Sequence, residues 1–129
     1  MRYLGIDYGK KRVGIALSDE NGTMAFPKEV LPNDAKLIAK IAKWCEEQKV
    51  GMIILGESKN FQQENNKIME DITEFQAELW QATGIPIELE PEYLTSQQVE
   101  KTFEKNAMLD ASSATIILQS YIDKKKFKN

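Results

Sequence analysis

Histidine is missing from this chain of 129 residues, and cysteine occurs once, at Cys45. Without histidine there is no imidazole to act as general base or metal ligand. A single cysteine excludes an internal disulfide and any thiolate zinc site. Cys45 falls on the apolar face of a helical pattern, where such a residue acts as a small core hydrophobe. Long apolar runs are also lacking, and none approaches the ~20 residues needed to cross a bilayer. The chain passes directly from Met1 into a strand pattern, so no signal peptide is expected, and the expected location is cytoplasmic with no membrane partner. The charged and hydrophobic fractions, 29% and 42%, are those of a soluble globule long enough to fold as one domain. If such a chain is an enzyme, its carboxylates must carry the chemistry.

The net charge of −3 argues against a broad non-specific nucleic-acid surface. Its distribution is uneven. Positive charge gathers at Lys10, Lys11 and Arg12 and again from Lys124 to Lys128, whereas the stretches Glu64–Glu78 and Glu88–Glu104 are acidic. The basic end segment reads as a solubilising tail. The strip at Lys10–Arg12 lies beside an acid, and that neighbourhood carries the most information.

The stretch LGIDYGKKRVGIALSD places Asp7 at the end of a short apolar strand. Gly9 follows, then the three cations, then a second apolar strand. Glycine permits close backbone approach to a ligand. The cations can meet phosphate charge while the carboxylate holds a divalent metal. A plain hairpin with a solvated basic turn is the alternative.

Strands are expected at Arg2–Ile6, Gly14–Leu17 and Thr23–Phe26, with Asn21–Gly22 as a hairpin turn. Pro27 and Pro32 are read as bracketing a crossover, and Asn33 as the N-cap of a helix bearing Leu37, Ile38, Ile41, Trp44 and Cys45 at helical spacing. Val50–Leu55 reads as a central parallel strand. A second helix carries Ile68, Ile72, Phe75, Leu79 and Ala82 and stops at Gly84, before a fifth strand at Ile85–Leu89. Thr95 and Gln98 form a capping box opening a short helix, and Ala111–Ile122 closes the chain as another helix. The order β-β-β-α-β-α-β-α-α implies an α/β fold with a mixed five-stranded sheet, its first three strands antiparallel and helices on both faces.

Four acids fall at element ends: Asp7, Glu57, Glu92 and Asp110. In an open α/β sheet ligands collect beyond the carboxyl ends of parallel strands, where Asp7, Glu57 and Glu92 are expected to converge. Asp110 opens the last helix on a stripe with Ala114, Ile117 and Tyr121 that should face the sheet. A carboxylate there needs a partner. The alternative is a first-turn acid stabilised by the helix N-terminus.

The segments GIDYGKKRVGIALSD, VGMIILGES, EYLTS and LDASSATIILQSYI together resemble the YqgF/RuvX family over essentially the whole chain. Members of that family are RNase H-like and are described as Holliday-junction resolvases and as nucleases that mature the 5′ end of 16S ribosomal RNA. The resemblance implies an RNase H-like domain over residues 1–123 followed by a basic tail at 124–129. It maps the family's acids onto Asp7, Glu92 and Asp110, as catalytic residues and ligands of Mg²⁺ or Mn²⁺. Gly9, Lys10, Lys11, Arg12 and Thr95 become candidate substrate contacts. Where the family pattern has aspartate and arginine beside its glutamate, this chain has Pro91 and Tyr93. Where it has glycine-leucine-proline after the fourth strand, the chain has Gly56, Glu57 and Ser58, which makes Glu57 either an auxiliary acid or an exposed loop residue. The implied activity is a metal-dependent nuclease on structured nucleic acid, pre-16S rRNA or branched DNA. A homodimer is expected if the substrate is a junction with two strands to cut. A catalytically weakened nucleic-acid-binding module is the first alternative. A nucleotide-binding fragment of the actin/Hsp70 type, whose phosphate loop also reads Asp-x-Gly, is the second, although that fold needs two lobes.

Overall fold

A computed structural model describes residues 1–57, 65–91 and 108–127, with the backbone alone at 57, 65–69, 91, 108–112, 126 and 127. Strands β1 (Arg2–Asp7), β2 (Arg12–Ser18), β3 (Ala25–Pro32), β4 (Val50–Glu57) and β5 (Ile87–Pro91) form one sheet in the order β3-β2-β1-β4-β5. The pairs β1–β2 and β2–β3 are antiparallel, and β1–β4 and β4–β5 are parallel. The expected mixed sheet is therefore present, with β1 at its centre.

Among the described residues three helices cover it: α1 (Leu37–Glu47), α2 (Asn65–Thr83) and α3 (Met108–Phe127). Period-two alternation divides each strand between two cores. Leu4, Ile6, Val13, Ile15, Ile53 and Leu55 are buried with Leu37 and Ile41 of α1 and Ile72, Phe75 and Leu79 of α2. On the opposite face Tyr3, Ala16 and Ile54 are buried with Ala114, Ile117, Leu118 and Ile122 of α3. Helix α2 ends as expected at Gly84, which takes φ +69° and donates its N–H to the Trp80 carbonyl at 2.8 Å.

Two readings at the β3–α1 junction are corrected. Pro27 and Pro32 do not bracket a crossover; both lie inside β3, which runs from Ala25 to Pro32. As an edge strand β3 needs ladder donors on one side only, and the register slips between Ile15 and Ala16, leaving Lys28 as an extra residue opposite the ladder. Nor does Asn33 cap α1. The N-cap is Lys36, without a side-chain cap bond, and Asp34 accepts the Lys36 N–H at 2.9 Å instead. The capping box at Thr95 and the short helix after it lie outside the described residues.

Helix α3 continues to Phe127, through the first four residues of the segment read as a basic tail. Lys124 Nζ lies 2.7 Å from a carboxylate oxygen of buried Glu90, which also accepts the Ser120 hydroxyl at 3.0 Å. Lys125 donates to the Tyr3 hydroxyl at 3.1 Å and sits over the Tyr3 ring, 5.4 Å from its centroid. These contacts hold the end of α3 against β1 and β5.

Candidate active site at the carboxyl rim of the sheet

Asp7 ends the central strand. By strand alternation Tyr3, Gly5 and Asp7 share the face that α3 covers. Successive turns of that helix meet them in reverse order. Lys125 and Tyr121 lie against Tyr3, the Tyr rings being 5.7 Å apart, while Ala114 and Leu118 lie over Gly5. The approach is close: a Cβ on Gly5 would stand 2.8 Å from the Leu118 Cβ and 3.1 Å from the Ala114 carbonyl oxygen. Helix α3 thus runs antiparallel to β1. From Ala114 back to residue 110 is one turn, ~6 Å of helix, and from Gly5 forward to Asp7 is ~6.6 Å of strand. The backbone of α3 at residue 110 therefore comes toward the Asp7 end of β1.

The ground beside Asp7 is cleared of side chains on both sides. Gly14 is its registered partner on β2. On β4, Leu55 pairs with Ile6, so the next residue, Gly56, stands beside Asp7. Both glycines are buried, and Asp7 itself is half-buried. Its registered neighbours on both adjoining strands therefore carry no side chain.

The parallel strands end together, as the sequence implied: β1 at Asp7, β4 at Glu57 and β5 at Pro91, with Glu57 and Pro91 in register. Glu92 and Thr95 lie outside the described residues, as do the side chains of Glu57 and Asp110. Of the expected acids, the structure describes Asp7 in full, Asp110 as a backbone position inside α3, and Glu57 as a strand end. Among the described residues no three histidines, cysteines or acids cluster at metal-binding distance. The described donor is a half-buried carboxylate with no thiol near it, since Cys45 lies in the core on the other face. Hard oxygen suits Mg²⁺ or Mn²⁺, so Asp7 fits the implied cation.

The basic turn follows directly. Lys10, Lys11 and Arg12 are exposed, and Gly9 is half-buried. A Cβ on Gly9 would stand 2.5 Å from the Arg12 carbonyl oxygen, so no other residue fits there without moving the backbone. Tyr8 packs its ring against Phe75 of α2, with centroids 4.8 Å apart. Asn33 closes the turn from the other side: its Nδ2 donates to the Gly9 carbonyl at 2.7 Å and its backbone N–H to the Lys11 carbonyl at 2.9 Å. The sequence reading missed these two bonds because Asn before a helical pattern reads as a cap. Its position one residue after a strand that pairs with β2 was the available signal.

A mixed five-stranded sheet with the antiparallel trio first, α3 packed over β1 and an acid ending the middle strand has the RNase H-like fold. Known structures share this fold: RuvC of T. thermophilus in complex with a Holliday junction substrate (TM-score 0.65, 14% identity, 98% of this chain and 96% of that one) and the fowlpox virus resolvase with Holliday junction DNA (TM-score 0.56, 13% identity, 97% and 99%). The chain belongs to the RuvX family, whose model, described as Holliday junction resolvase, matches residues 1–124. Relatives named "Putative pre-16S rRNA nuclease" include those of Sulfurihydrogenibium sp. (34% identical; 99% of this chain, 94% of the relative) and Phocaeicola vulgatus (34%; 98% and 98%).

Proposed function

We propose that this chain is a divalent-metal-dependent nuclease acting on structured nucleic acid, with Asp7, Glu92 and Asp110 as its acidic set. The observation that carries the reading is the antiparallel course of α3 over β1, which brings residue 110 toward the half-buried carboxylate at the end of the central strand. A divalent cation bound there supplies polarisation of the scissile phosphate and an activated water. Asp7 contributes a hard oxygen ligand. Gly14 and Gly56 leave room beside it for a phosphate. Lys10, Lys11 and Arg12 offset the charge of the incoming backbone without reading its sequence. Gly9 and Thr95 are further substrate contacts, and Glu57 at the same rim is either an auxiliary acid or a residue outside the chemistry.

Family membership and the names of the relatives support a nuclease role, with the 5′ end of the 16S rRNA precursor as the favoured substrate and branched DNA as the second. A cytoplasmic site of action follows from that substrate. No helix among the described residues is long and apolar enough to cross a membrane. On a junction the active form is a homodimer, because two strands must be cut.

The test is cleavage of a structured pre-16S RNA and of a four-way DNA junction with Mn²⁺. Wild type is expected to cut one of them, and Asp110→Asn to bind it without cutting. Binding without cleavage by wild type across both substrates identifies the silenced module instead, in which Pro91 and Tyr93 have weakened the site.

A further inference from the structure

We infer that Asn33 is a positioning residue that holds the β1–β2 turn in the shape needed to receive a nucleic-acid phosphate. The inference rests on the nuclease reading above and adds to it a residue from a different part of the chain. Asn33 binds two carbonyls of the turn, those of Gly9 and Lys11, through its side chain and its main chain respectively. In a planar trans peptide the C=O and the following N–H point in opposite directions. Fixing the Gly9 carbonyl toward Asn33 therefore aims the Lys10 N–H away from it, on the outer side of a turn whose exposed cations are Lys10 and Lys11.

An outward backbone donor in a turn that carries two exposed lysines suits an anion. Its usefulness depends on the turn not relaxing. Gly9 fits against the Arg12 carbonyl and Tyr8 is seated on Phe75, so the two ends of the turn are anchored by packing. The peptide between Gly9 and Lys10 has the Asn33 amide as its fastener. Asn33 in turn follows Pro32, the registered partner of Arg12, which sets it opposite the turn.

The test uses the full chain and a fluorescently labelled RNA hairpin in metal-free buffer, so that binding is read without cleavage. Asn33→Ala is expected to raise Kd roughly three- to tenfold, the size of one net hydrogen bond. Asn33→Asp, of equal size without the donor, is expected to lose at least as much. In a Lys10→Ala/Lys11→Ala background the Asn33→Ala effect is expected to shrink below about twofold, because residues acting as a unit are non-additive. In ¹⁵N spectra the Lys10 amide is expected to shift on RNA addition in wild type and to lose that shift in both Asn33 variants. Wild-type affinity in both variants, full additivity with the lysine substitutions, or a Lys10 amide that RNA leaves unmoved in wild type would each overturn the inference. Cleavage by wild type with Mn²⁺, run in parallel, reports on the nuclease reading separately. Cleavage with unaltered Asn33 variants removes only the positioning role, and RNA-dependent Lys10 shifts without any cleavage remove only the nuclease.

Discussion

Strand β2 carries a turn at each end, and the two are built on opposite plans. The β2–β3 turn closes on itself. Asp19 accepts the Thr23 N–H at 2.6 Å, the Thr23 hydroxyl at 2.5 Å and the Met24 N–H at 3.1 Å, and Gly22 takes φ +69° and donates to the Asp19 carbonyl. Its charge is taken up within the turn, where the Thr23 hydroxyl and then the Thr23 and Met24 N–H groups hold the Asp19 carboxyl down to about 2. The β1–β2 turn lies beside Asp7, keeps its cations exposed, and takes its shape from Asn33 and α2 outside the hairpin. A turn whose polar groups satisfy one another is structural. The proposed function gives the second turn, with its exposed cations, a phosphate to receive.

Substitutions at the two ends of β2 sharpen that contrast, and the largest effect is expected at Asp7. Outer partners of metal ligands are typically worth 10- to 100-fold in affinity or activity, so removing a direct ligand by Asp7→Asn is expected to cost about 100-fold or more in cleavage. Asp19→Asn is expected to leave the cleavage rate within about twofold, since it touches only its own turn. Comparable losses from the two would erase the distinction between the ends.

A smaller effect belongs to the cations. Lys10→Ala/Lys11→Ala is expected to weaken binding of every nucleic-acid substrate and to flatten the salt dependence, the log–log slope falling by about 0.7 to 0.9 per lost phosphate contact. Lys124→Ala, which breaks the pair with Glu90 on β5, is expected to lower the melting temperature with the salt slope unchanged. A salt slope that follows Lys124 rather than Lys10 and Lys11 would move the phosphate path toward the β5 edge of the sheet.

The smallest effect is in acid. The Asp19 carboxyl is depressed from 3.8 to about 2, so its stabilising bonds are complete above the unfolded value and are lost as pH falls from 3.8 toward 2. Wild type is expected to lose thermal stability more steeply across that interval than Asp19→Asn, as followed by circular dichroism. Parallel curves would show that the carboxylate is not the acceptor that closes the turn.

Much of this fold could be read from residue spacing. The apolar run at Val50, the three-four spacing through Ile72, Phe75 and Leu79, and the stop at Gly84 each have a local physical cause. The errors cluster at residues whose meaning depends on distant partners. Pro27 and Pro32 read as breakers because a lone strand with two prolines is improbable, yet at a sheet edge the missing donors cost little. Asn33 read as a cap because its two acceptors, on Gly9 and Lys11, become neighbours only when β3 pairs with β2. For the candidate site, the nomination of Asp7 and the cations was open to the sequence, because they are adjacent there. The clearing around Asp7 was not, because Gly14 and Gly56 flank it through strand register alone.

The claim that Asp7 and Asp110 meet at one metal is tested most directly by Mn²⁺ titration of the melting temperature in wild type, Asp7→Asn and Asp110→Asn. A ligand of the native state raises the midpoint with concentration, and clustered acids without a cation repel one another. The account predicts a rise for wild type at millimolar Mn²⁺ and none for either variant. An equal rise in all three proteins would contradict it.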